Sequence, residues 1–279
     1  MRIVFLIFSV LVSVLVFAFF RSAGQKVTVN TGGITIATRF PEPSGFKRLN
    51  LSVNSFGGFI RTLGLKPAGA LVHYYNGAVK PNDGIYSAVV DLPLSNKDLH
   101  QCADAVMHVR AEYLFAQKRT KDIHFKFTSG FVAEFSKWEE GNRISVKGNS
   151  VKWVKSARPD RSHKALDEFM EVVYTYCGTL SLSHELKKIN YADLRPGDVL
   201  IKGGSPGHAE LVMDMVENAK GEKMYLLAQS YMPAQEMQVL QNPENKALSP
   251  WYKLNTQAHD IITPQWDFTT DQCMRFNEE

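Results

Sequence analysis

Residues 196–214, PGDVLIKGGSPGHAELVMD, carry the densest structural signal in the chain. Pro196-Gly197-Asp198 is a turn that delivers the backbone into the apolar run VLIK. Gly203, Gly204 and Gly207 then let backbone segments pack closely around a small space, and His208 opens the next run, HAELVMDM. A turn at 218–222, NAKGE, leads into KMYLLAQSY. Three strands joined by connections this short run antiparallel. A hairpin that pairs Val216 with Lys223 sets His208 opposite Tyr231, and the two-residue period of a strand puts Gln229 and Tyr231 on the face of His208. A slip of one residue would put Ser230 there instead.

Working outward, helices and strands come in blocks rather than in βαβ alternation, which predicts the α+β class. Ser95 and Asp98 resemble a capping box, and Leu99, Cys102, Ala103, Val106, Val109, Tyr113 and Leu114 recur at helical spacing, predicting a helix over 96–117. Segments 70–75 and 86–92 read as paired strands, IHFKFTSGFVAEF as a hairpin broken at Ser129-Gly130, and 144–153 as a hairpin around Gly148. Helical spacing returns over 162–176, with Gly178 placed to stop it, and a shorter helix is expected over 183–189.

The first twenty-odd residues are of another kind. From Ile3 to Phe20 every residue is apolar except Ser9 and Ser13, with Arg2 before and Arg21 after. That pattern predicts a signal peptide or membrane anchor over 1–24, cleaved or retained. A linker over 25–45, with scattered Gly, Thr and Pro, would join it to a single globular domain over 46–279. The expected location is the periplasm or cell envelope. Without Arg2 and Arg21 the charge falls from +4 to +2, too balanced for a nucleic-acid partner, and the membrane is met only through the N-terminal segment.

Three cysteines are an odd number for an exported chain, so at least one is free or paired elsewhere. Cys102 lies towards the start of its helix, where free N–H groups and the helix dipole favour a thiolate, although a cysteine on an apolar stripe is also an ordinary small hydrophobe. Cys177 follows a helix and Cys273 lies near the C-terminus; these two are open to a disulfide. His208 has the side chain suited to proton transfer near neutrality, and the Gln229 amide is placed to orient it. Trp138, Arg143, Tyr231 and Trp251 form a second set, of the kind that stacks sugars or peptides and holds a carboxylate. The eight histidines are scattered, with no HExxH, CxxC, phosphate loop or G-x-S-x-G, so no metal or cofactor is expected.

Two resemblances follow from these residues. PGDVLIKGGSPGHAELVMD resembles the His-bearing hairpin of the NlpC-type and CHAP-type papain-fold cysteine hydrolases. QCADAVMHVRAEYLF, FTSGFVAEFSKWEEGNR, YCGTLSLSHEL and AQSYMPAQEMQVLQNP are similar to an exported bacterial family catalogued as domain of unknown function 4846. The first implies a papain-like sheet with packed helices, His208 as base, Gln229 as the third polar residue and Cys102 as nucleophile. In such enzymes the cysteine is the first residue of its helix, whereas the spacing here predicts a deeper position. The combined expectation is a cysteine hydrolase acting on cell-wall peptide or another amide, against a non-catalytic module binding glycan or peptide.

Overall fold

The structure, a computed structural model, describes residues 27–277, so the apolar segment expected as a leader lies outside it. In chain order the helices are α1 (Ile36–Arg39), α2 (Phe56–Arg61), α3 (Cys102–Ala116), α4 (Phe135–Glu139), α5 (His163–Tyr176) and α6 (Thr179–Glu185). The strands are β1 (Phe46–Arg48), β2 (Tyr86–Val89), β3 (His124–Lys126), β4 (Val132–Glu134), β5 (Asn142–Lys147), β6 (Ser150–Lys155), β7 (Lys187–Lys188), β8 (Val199–Lys202), β9 (His208–Asn218), β10 (Lys223–Gln229), β11 (Gln238–Leu240), β12 (Tyr252–Lys253), β13 (Asp260–Ile262), β14 (Asp267–Thr269) and β15 (Cys273–Arg275). This is a single α+β domain built on a nine-stranded sheet ordered β2-β11-β10-β9-β8-β15-β7, with β1 added to β9 and β12 to β10. Every strand pair in the sheet is antiparallel.

The three strands of the opening motif are β8, β9 and β10, and β9 is the axis of the sheet. His208 to Val216 are all buried, because apolar layers cover both faces. Ala209, Leu211 and Met213 join the core that contains α3 and α5, while Val212 and Met215 join a second core with Tyr225 and Phe268. A helix buried on all sides loses its polar stripe: Cys102 to Ala111 of α3 are buried without a break. The hairpins expected around Gly130 and Gly148 form as β3–β4 and β5–β6, with those glycines at φ +89° and +57°.

Four local expectations are corrected. The helix read as 96–117 starts at Cys102. The helix read as 183–189 starts at Thr179, directly after Gly178. Segments 70–75 and 86–92 do not pair with each other: β2 pairs with β11, while His73 and Tyr74 make only isolated bridges to Val79 and Gln235. The stretch expected as a linker is packed, with Ile36 and Phe40 fully buried, each burial stabilising by about 1.5–3 kcal/mol. Gly and Thr spacing there hid an anchoring turn: the Thr35 and Thr38 side chains satisfy the N-terminal backbone groups of α1. Among the described residues no helix is long and apolar enough to cross a membrane.

Asp198 of the opening motif closes the domain. Its carboxylate takes Arg275 Nε at 2.6 Å, Arg275 Nη2 at 2.8 Å and the Arg195 N–H at 2.7 Å, tying the strand entry to the last strand.

Candidate active site

Cys102 is the first residue of α3. The helix cannot begin earlier because the residues before it are committed elsewhere. Asp98 Oδ1 accepts the Ala234 N–H at 2.6 Å, and the His100 carbonyl accepts from the Ser230 hydroxyl at 3.0 Å. Asp104 then caps the true start, its Oδ2 accepting the Gln101 N–H at 2.9 Å. The expected deeper position is thereby corrected: the sulfur sits where N–H groups without helical partners converge.

Gln229 reaches His208 by two compensating departures. The hairpin closes with Lys223 opposite Glu217 rather than Val216, and an irregularity between Leu226 and Leu227 skips Met213. Beyond it Leu227 faces Val212 and Ala228 faces Leu211, which restores the register expected at the far end. His208 Nε2 lies 2.6 Å from Gln229 Oε1. An amide oxygen only accepts, so Nε2 carries the proton and Nδ1 is the nitrogen left for another partner. The Cys102 side chain lines the same cavity as the ring and raises its proton affinity.

Burial works against the charged imidazole, but the Cys102 sulfur and the Glu210 carboxyl outweigh it and raise His208 to about 10. Glu210 Oε1 lies 3.6 Å from His208 Nε2 and accepts the Thr263 hydroxyl at 2.8 Å. Burial raises Glu210 in turn, and Oε2 has no hydrogen-bond partner. Trp266 and Phe268 cover the ring at 5.4 and 5.9 Å between centroids, and Tyr231 stands 4.9 Å away. This shell keeps water from the His208–Gln229 bond, where a low dielectric strengthens it.

A cavity of about 390 Å³ opens on the pair. Cys102, His208, Tyr231 and Trp266 line it, together with Met232 on the rim, the 204–207 loop and Thr179 at the start of α6. Glycine is required in that loop. A Cβ on Gly207 would lie 2.4 Å from both the Thr179 hydroxyl and the Gly204 carbonyl, and Gly204 has φ +114°. Asp98 and Asp104 supply the carboxyl groups of the lining, which contains neither lysine nor arginine. Burial raises Asp104 to about 8, and its Oδ1 is unpartnered.

The structure thus brings together Cys102, His208, Gln229 and Tyr231, and it separates the other expected ligand-binding residues from them. Trp138 and Trp251 are 4% and 0% exposed and belong to the core. Arg143 lies over the Trp138 ring at 4.1 Å and donates to the Trp138 and Asn142 carbonyls. Of the aromatic residues expected to hold a ligand only Tyr231 lines the cavity, alongside the unforeseen Tyr174 and Trp266. All three cysteines are free. Burial pushes the thiol of Cys177 strongly up and that of Cys273 up to about 12, although Cys177 shares the cavity with Cys102. Glu112, His163 and Asp167 cluster at a distance along the sequence that spacing concealed. His163 directs Nε2 to Glu112 and Nδ1 to Asp167, so the group is closed on itself.

Glu210 was legible in principle: a carboxylate two residues after a strand histidine shares its face. Nothing local marks Gln265, Lys80 or Trp266, which arrive from distant turns.

The family model described as Domain of unknown function (4846) matches residues 36–275, and the chain belongs to that family. Comparison with curated proteins and with solved structures found no match.

Proposed function

We propose that this member of the domain of unknown function 4846 family is a cysteine hydrolase of the cell envelope, cleaving an amide bond in cell-wall peptide or a related acyl amine. The observation that carries the reading is the order Cys102, His208, Gln229: a thiol at a helix start, an imidazole lining the same cavity whose proton affinity that thiol raises, and an amide holding one ring nitrogen. The arrangement is papain-like in its logic, with helix α3 meeting an antiparallel sheet at the mouth of β9. The apolar segment ending at Phe20, with its flanking arginines, supports export.

In the reaction, the Cys102 sulfur attacks the carbonyl carbon and the C=O electrons move to oxygen. Unpartnered N–H groups of the first turn of α3 stabilise that oxyanion. The His208 imidazolium gives its proton to the departing nitrogen, the C–N bond breaks, and a thioester remains. Neutral His208 then takes a proton from water, the hydroxide adds to the thioester, and the carboxylic acid leaves as the sulfur regains the electron pair.

The test is a panel of cell-wall peptides and simple peptide amides incubated with the full chain, read by release of new amines and by mass spectrometry of the protein. The expected result is turnover that Cys102→Ala abolishes, with an acyl group found on Cys102 at early times. Absence of any acylated Cys102 with every amide, while the folded protein still binds one of them, overturns the reading in favour of a binding module.

A further inference from the structure

Behind the cavity a chain of hydrogen bonds runs from His208 to a buried lysine. Gln229 Nε2 donates to Gln265 Oε1 at 2.8 Å, and Lys80 Nζ donates to the same oxygen at 2.7 Å. Lys80 is 4% exposed, an unusual place for a lysine. It arrives on the 72–80 turn, whose backbone is tied to 234–236 through Tyr75 N–H to Ala234 O and Glu236 N–H to His73 O. Its ammonium also lies 5.9 Å from the Tyr231 ring centroid, and the Tyr231 hydroxyl donates to the Gln265 carbonyl at 3.5 Å.

The direction of every bond in this chain is decided at the lysine end. Amides are ambiguous, since either end of a glutamine can turn towards a neighbour. A protonated lysine is not: it has three donors and no acceptor. Gln265 must therefore present its oxygen to Lys80, and that oxygen accepts the Gln229 amide N–H. Gln229 must then turn its own oxygen to His208, which obliges Nε2 to hold the proton and leaves Nδ1 for the Cys102 side chain. With Gln229 reversed, its N–H groups would face Nε2 and select the wrong tautomer of a neutral ring, or repel a charged one. Glu210, 3.6 Å from Nε2, stabilises charge on the ring but leaves the Gln229 amide free to turn.

We infer that Lys80 acts through Gln265 as a positioning residue that sets the polarity of the Gln229 amide, and hence the tautomer and aim of His208. The inference rests on the reading of Cys102 and His208 as the reacting pair.

Alkylation of Cys102 by iodoacetamide, followed on the Cys102 peptide by mass spectrometry across the pH range, tests it in the full chain without any substrate. In Lys80→Met the rate at about pH 6 falls roughly tenfold, as the profile moves up by about one pH unit. Gln265→Leu behaves the same way. Gln265→Glu offers acceptors only, keeps the polarity and stays within about threefold of wild type. A general loss of packing would not be rescued by glutamate. Equal profiles for wild type, Lys80→Met and Gln265→Leu overturn the relay; if Lys80→Met does not fold, equal profiles for the two Gln265 variants do so. Should His208→Ala itself leave Cys102 alkylation unchanged, the reacting pair fails, and the relay with it.

Discussion

Asp214 and Glu210 stand four residues apart on β9, both with wholly buried carboxyl groups, and the fold treats them in opposite ways. Asp214 receives Arg48 Nε and Arg61 Nε, each at 2.6 Å, and the Met215 N–H at 2.8 Å. Those arginines spend further donors on the carbonyls of Ala37, Phe40 and Leu49, so the group is closed. Glu210 has Thr263, a longer approach to His208 and an oxygen without a partner. A closed ion cluster fixes geometry; an open one leaves its field to act on a neighbour. The two are coupled, because the irregularity that puts Gln229 in register with His208 lies beside Asp214.

The largest effect is expected at the closed end. Asp214→Ala leaves two guanidinium groups without their counter-ion in a buried site, so urea denaturation should show a loss of about 3–5 kcal/mol. A loss under about 1 kcal/mol would mean that the cluster is not what holds the register. Next comes the open end. His208→Ala should slow Cys102 alkylation at about pH 6 by roughly a hundredfold, since a helix start alone is a weaker source of thiolate than a helix start with an imidazolium.

Glu210→Gln sharpens the contrast. Shape and the Thr263 contact persist, so unfolding should change by no more than about 1 kcal/mol, while NMR titration of the ring should show His208 losing its proton about one pH unit lower. The sign of the accompanying stability change is fixed. His208 holds its proton more tightly folded than unfolded, so its contribution is whole below about 6.5 and lost as pH rises towards about 10. In Glu210→Gln the decline still begins at about 6.5 but is smaller and complete at a lower pH. The smallest effect belongs to Cys177. Burial keeps its thiol protonated, and Cys177→Ala should alter Cys102 alkylation by less than about threefold.

The contrast also explains what could be read before the structure was known. Regular spacing and turn residues revealed β8, β9 and β10, the hairpins at Gly130 and Gly148, and α5. His208 and Gln229 were found together because strand parity is insensitive to two opposite errors, a shifted hairpin closure and the skipped Met213. The start of α3 was misread, because what ends the preceding loop is tertiary: Ser230 and Ala234 bind residues that sequence periodicity assigns to the helix. Trp138 and Trp251 illustrate the converse. An indole has the same spelling in a core and on a binding face, and only packing distinguishes them. Lys80 and Gln265 carry no local signal, since their role exists only where three turns meet.

The most direct measurement is the ring state of His208, read by nitrogen NMR in wild type and in Cys102→Ala. An imidazolium is expected in wild type at about pH 7.5, with Nε2 protonated and hydrogen-bonded, and a clear fall in proton affinity when the sulfur is removed. A neutral ring at that pH, titrating near 6.5 whether or not Cys102 is present, would contradict that expectation.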